Sequence, residues 1–300
     1  MKLRRIVLAV GEVHAPARAA LRKAAALARA SGATLELFHA LTEAHGAPEV
    51  ARSRLQRLAR SALLSGCRVR AEVAVDRPAH EAIIRRAVQV KADLLIAATQ
   101  AHGAASRLFL RNTDWELIRH CPCPLLLVKS TRLRERALVL AAVDPFHAHD
   151  KPARLDAVLL SAGADLARLT RASLHAFHAY MPLIAAAEAP FGEPLIWQAP
   201  QIEQVHGDQV RRAFERLCRR AGLPPARRHL VMGDFAVELQ AAVKQLRAGI
   251  VVMGAVSRSP LGRVLIGSSA ERVLDRLPCD VLVVKPRGFK SGVPRRVRAD

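Results

Sequence analysis

Gly254, Gly267, Ser268 and Ser269 bracket a loop of a kind that can hold a phosphate. The apolar run Val251-Val252-Met253 ends at Gly254, the loop continues as AVSRSPLGRVLI, and Gly267-Ser268-Ser269 opens a helical pattern. A helix that starts at the far end of a loop aims backbone N–H groups at one point, and its dipole favours an anion there. Glycines let the backbone approach closely. The serines add hydroxyl donors and a helix cap. Arg258 and Arg263 supply positive charge inside the loop, next to Ser257. The pattern is not a Walker A loop, since no Gly-Lys-Ser/Thr follows the first glycine. Spacing alone also permits a plainer reading, with Gly254 a turn residue and Ser268 a simple cap.

A carboxylate accompanies this loop. The run Ala141-Ala142-Val143 leads into Asp144-Pro145. If its strand neighbours the one ending at Gly254, Asp144 lies at the sheet's switch point, where open α/β sheets bind ligands. There an Asp can accept a hydrogen bond from a base or a ribose.

The chain carries this region twice. Residues 92–129 and 248–285 align without a gap, and Val128-Lys129 falls on Val284-Lys285. The phosphate-loop residues occur only in the second copy. Ala98, Arg111 and Asn112 stand in the first copy where Gly254, Gly267 and Ser268 stand in the second, and Gly11 takes the place of Asp144. An Arg where the backbone must approach closely would fill the phosphate space. The first half is therefore either a structural partner or a cleft for another ligand, apolar in character.

The elements that must position these residues follow an alternating pattern of short apolar runs and amphipathic segments, which predicts parallel α/β sheets. Strands are expected near 3–10, 34–41, 68–75, 93–99 and 124–128, then near 137–143, 172–179, 228–232, 249–254 and 280–284. Helices are expected near 16–31, 49–65, 77–91 and 111–120, then near 152–170, 201–221, 235–247 and 267–276. Gly32 reads as a helix stop. Domains are expected over 1–130 and 137–286, followed by a flexible basic tail at 287–300. An apolar, Pro-rich insertion at 180–201 lengthens the second half.

Composition narrows the function. The 300 residues carry a net charge of +21, but the arginines read as dispersed and aromatics make up only 4%. Nucleic-acid grooves usually supply stacking partners, so a nucleic-acid partner is not expected. No apolar run approaches the ~20 residues of a membrane span. Five cysteines without C-x-x-C spacing suit a reducing cytoplasm. Cys121-Pro122-Cys123 is too close-set for an easy disulfide. His147, His149 and Asp150 could ligate a metal, but a solvated loop explains them as well. His175 and His178 should lie on opposite faces of a strand, and a core or edge role suits both. His39 has no recognisable partner. No catalytic triad is present, and nothing positions a water, so at most slow ATP hydrolysis is expected.

The residues described so far resemble the universal stress protein family, whose phosphate loop reads Gly-x2-Gly-x9-Gly-Ser/Thr. Gly254, Gly267 and Ser268 match, while Ser257 stands at the inner glycine. The first half is similar to the degenerate half of tandem, E-type members through Asn112-Thr113-Asp114-Trp115-Glu116-Leu117-Ile118-Arg119-His120-Cys121-Pro122 and through Arg77-Pro78-Ala79-His80-Glu81. The resemblance implies two open five-stranded parallel sheets of order 3-2-1-4-5 with helices on both faces. It also implies intrachain pairing through the fifth strands, and a further homodimer. The implied ligand is ATP or a related adenine nucleotide, with or without Mg²⁺. Asp144 would meet its adenine-ribose end, and Gly254, Ser257, Arg258, Gly267, Ser268 and Ser269 would surround its phosphates. The implied role is stress-response regulation.

Overall fold

A computed structural model of the chain describes residues 2–41, 48–99, 112–129, 138–145, 155–182, 199–254, 257–258, 264–265, 273–274 and 276–294. In the first half, strands β1 (Arg5–Ala9), β2 (Thr34–Leu41), β3 (Arg68–Val75), β4 (Leu94–Ala98) and β5 (Leu125–Val128) alternate with helices α1 (Arg18–Ser31), α2 (Pro48–Ala59), α3 (Ala79–Gln89) and α4 (Asn112–His120). In the second half, β6 (Leu138–Ala142), α5 (Leu155–Thr170), β7 (Leu174–Tyr180), α6 (Ala199–Arg220), β8 (Arg228–Met232), α7 (Phe235–Gln245) and β9 (Ala248–Gly254) lead to β12 (Asp280–Val284). The strands are built from Leu, Ile, Val and Ala because both faces of the sheet are covered. Gly32 ends α1 in the left-handed region at φ 68°, where its N–H closes on the Ala28 carbonyl, as the stop signal expects.

The two sheets are one. Ten strands run in the order β3-β2-β1-β4-β5-β12-β9-β6-β7-β8, so each half has the order 3-2-1-4-5 and the fifth strands meet at the centre. β5 and β12 pair antiparallel, with Val281 across from Leu127 and Val283 across from Leu125. This is the pairing expected of strands 124–128 and 280–284. Each face of the sheet carries a core that runs through both halves. α1, α2, α5 and α6 cover one face, and α3, α4 and α7 cover the other.

At the centre, the side chains cross the seam. Asp280 is 1% exposed. It accepts from Lys23 Nζ on α1 at 2.6 Å and from the Lys129 N–H at the end of β5 at 3.0 Å. The Lys129 ammonium turns the other way and donates to the carbonyls of Leu274 and Leu277. Its repeat equivalent, Lys285, is also buried and lies 4.9 Å over the Phe289 ring. Burial pushes the Lys285 ammonium down to about 8.

Two local expectations change. The helix expected over 49–65 stops at Ala59, and a separate short turn of 3₁₀ helix follows at Ala62–Leu64. The tail does not leave the molecule at 287: Val293 packs on the core and Gly292 lies near the His120 ring. Residues 295–300 and most of the insertion, 183–198, lie outside the described residues. Cys121 and Cys123 are free thiols with their sulfurs 3.5 Å apart.

His175 and His178 do take opposite faces of β7. His175 stacks on His229 of β8, with Nδ1 2.8 Å from the partner's Nε2. One ring must donate and the other accept, so both cannot be protonated at the facing atoms. Burial first, then the charges of His229 and Arg227, push His175 down to about 4. An unfolded chain binds this proton near pH 6.5, whereas the folded chain resists it until about pH 4. Stability is therefore full above pH 6.5 and falls as the pH drops through this window. Urea unfolding at stepped pH should show the midpoint falling below 6.5, and His175→Gln should flatten that slope relative to the parent. Equal slopes for the two proteins would contradict the assignment.

Candidate functional site

β6 and β9 are parallel neighbours, with Ala141 across from Val252. Continuing that register sets Val143 opposite Gly254, and Asp144 one residue beyond. The sheet order reverses direction at this pair of strands, which is the switch point where a crevice opens beyond the strand ends. Asp144 and Gly254 therefore share one end of the sheet, which meets the condition set on Asp144 by the sequence and agrees with the strand order that the resemblance implies.

Asp144 is held from both sides. Its N–H donates to Asp156 Oδ1 at 3.0 Å, in the first turn of α5. Its Oδ1 is 4.0 Å from Nδ1 of His178, whose side chain is 4% exposed, while the Asp144 side chain keeps 32% exposure. His178 Nδ1 also lies 3.0 Å from the Val143 carbonyl. A carbonyl can only accept, so Nδ1 carries the proton. This N–H fixes the chain just before Asp144 and presents a positive edge to its carboxylate. The sequence alone suggests only a core or edge role for His178. The missing signal was the strand alignment that brings residue 178 beside residue 144.

The first half preserves the support without the carboxylate. His39 Nδ1 lies 2.7 Å from the Val10 carbonyl, the same bond in the same place. Gly11 follows Val10, so His39 has no acid in the position of Asp144. A cleft of about 340 Å³ remains there, lined by Val10, Gly11, Pro16, Leu21, Ala98 and Thr99 among others.

Gly254 sits against the side-chain tip of Leu155, which would have to shift for a larger residue. A Cβ added there would lie 2.9 Å from Leu155 Cδ2 at the start of α5. Beyond it, Ser257–Arg258 (β10) pairs antiparallel with Val264–Leu265 (β11). No sequence pattern announces this small ladder, since two residues are too few for a period. It returns the chain at 265 to the side of 257, three residues after Gly254. Ser257 is extended in this ladder, so the glycine departure at this position carries no left-handed backbone cost. Gly267, Ser268, Ser269 and Arg263 lie outside the described residues, as do His147, His149 and Asp150. Among the described residues no three His, Cys, Asp or Glu side chains gather as metal ligands. No described helix is long and apolar enough to cross a membrane.

The duplicated domain pattern has a counterpart in known proteins. The model of the universal stress protein family matches residues 2–129 and again residues 139–285. The chain belongs to the universal stress protein family. Universal stress protein E of Photorhabdus laumondii is 28% identical over 222 residues, 73% of this chain and 69% of that one. Universal stress protein E of Escherichia coli K12 is 29% identical over 221 residues, 71% of this chain and 67% of that one. A solved structure of a functionally unknown protein from Pseudomonas aeruginosa PAO1 superposes with a TM-score of 0.76 at 26% identity, covering 95% of this chain and 93% of that one. This universal stress protein thus shares its fold with a solved structure over 95% of its length.

Proposed function

We propose that this stress-response protein binds ATP or a related adenine nucleotide at one site per chain, in the second half. Binding would bias a conformation or a partnership instead of driving chemistry. The observation that carries the reading is the placement of Asp144 beside Gly254 at the switch point, braced by His178 and Asp156, in the half whose sequence supplies Gly267, Ser268 and Ser269. In the proposed arrangement, Asp144 accepts from the adenine-ribose end. The loop from Gly254 to Ser269, with Ser257 and Arg258, surrounds the phosphates. Mg²⁺, where present, would come with the phosphates. The β10–β11 ladder supports the reading, because it draws the two ends of that loop together.

Asp144→Ala tests it. A hydrogen bond to a charged group contributes about 1.5–3 kcal/mol, so a fluorescent adenine nucleotide should bind roughly 10- to 100-fold more weakly. Urea stability should change little, because the carboxylate is one-third exposed. Unchanged affinity in a folded variant would remove Asp144 from the site.

A further inference from the structure

The fold gathers the arginines that the sequence reads as dispersed. Helices α1, α2, α5 and α6, on one face of the sheet, carry thirteen Lys and Arg against six Asp and Glu. The described helices on the other face, α3, α4 and α7, carry four against four. The arginines of that balanced face are also neutralised: Arg85 by Asp76 and Glu81, Arg86 by Glu36, Arg119 by Glu116.

α6 is the opposite case. Arg211, Arg212, Arg216, Arg219 and Arg220 are all exposed. None of the five has an ion pair among the described residues. Of the two acids that flank these arginines on the helix, Asp208 pairs with none of the five among the described residues, and Glu215 is held by Arg228. At 100° per residue, Arg212, Arg216, Arg219 and Arg220 fall within one side of the helix. Val210, Phe214 and Cys218 form the other side and are 1%, 1% and 0% exposed. The stripe from Arg212 to Arg220 is about 12 Å long, and a duplex presents roughly seven phosphates over that length of axis with both strands counted, at ~1.7 Å each.

We propose that this face of α6 binds the phosphate backbone of double-stranded nucleic acid without reading its sequence. Arginine's planar fork matches phosphate oxygens, and these exposed guanidinium groups make no ion pair among the described residues. A duplex suits the face better than a single strand, since single-strand grooves add aromatic stacking platforms and the one aromatic among these arginines, Phe214, is buried. A membrane surface is the poorer match. Membrane-lying helices expose Trp, Phe or Leu, whereas the apolar side of α6 is spent on the core and its exposed large apolar residue is Val205.

Fluorescence anisotropy with a labelled duplex of about 20 base pairs tests this. About five phosphate contacts predict a log–log salt slope near −4 to −5, so affinity should fall several-hundred-fold between about 50 and 200 mM salt. Arg212→Glu, Arg216→Glu, Arg219→Glu and Arg220→Glu together should weaken binding at least ~100-fold and flatten the slope by about 3 to 4. The same net change at Lys91, Lys244, Arg287 and Lys290 should leave affinity within about threefold, since salt screens charges beyond a Debye length. Should the glutamate set misfold by circular dichroism, the four Arg→Gln changes serve in its place. Equal losses in both sets would reduce the effect to net charge and overturn the proposal. So would no duplex binding by the parent at about 50 mM salt, or α6-dependent binding to phosphatidylserine vesicles without duplex binding.

Discussion

Asp280→Ala should lower the stability of the folded chain by about 3–5 kcal/mol, the range seen when one member of a buried ion pair is removed. The pair is short, 2.6 Å to Lys23 Nζ, and dry, with side-chain exposures of 11% for Lys23 and 2% for Asp280. Removing the carboxylate leaves an ammonium in a place that burial makes hostile, and strips the Lys129 N–H of its acceptor. The aligned first-half residue is Pro124, so no matching staple exists to compensate. Asp280→Asn keeps an acceptor for the Lys129 N–H and should cost less. Adding Lys23→Met to it should recover part of the loss, because an apolar pair avoids the desolvation penalty. Urea unfolding of the four proteins measures all of this. A loss below about 1 kcal/mol for Asp280→Ala would mean that the seam is held by β5–β12 packing alone.

Gly267→Arg should abolish nucleotide binding, with a loss of at least ~100-fold. The change copies Arg111 of the first half into the second. Two effects oppose each other. The added guanidinium attracts phosphate, but a charge pair in water at about 4 Å is worth only about 1 kcal/mol. Its bulk excludes the phosphate from backbone N–H groups, each worth about 1.5–3 kcal/mol to a charged acceptor. Losing two such bonds outweighs the attraction by several kcal/mol. Gly267→Ala, which adds one methyl, should cost closer to tenfold. A variant that folds and binds as tightly as the parent would show that the phosphates do not seat at residue 267.

The sequence was most informative where a signal is local or repeated. The strands and helices follow hydrophobic period, and the stop at Gly32 follows from one residue. The strand order, and the neighbouring of Asp144 and Gly254, came from family resemblance and agree with the pairing of β6 and β9. What stayed hidden depends on distant residues meeting. His178 gains its relation to Asp144 only when β7 lies beside β6. Asp280 reads as an acid at the start of an apolar strand, and its partners lie 257 and 151 residues away. The arginines of α6 look dispersed in a chain rich in arginine, and stand apart only once buried sides and ion pairs are assigned. The β10–β11 ladder is too short to leave a period.

One nucleotide site per chain is expected, in the half that carries Asp144, Gly254 and Gly267. Calorimetric titration of ATP into the intact chain at moderate salt tests it most directly, because the stoichiometry is read without any variant. The expected result is saturation at one ATP per chain. Saturation at two would mean that the first-half cleft holds nucleotide without Asp144 or Gly254 equivalents, and no heat of binding would contradict the site altogether.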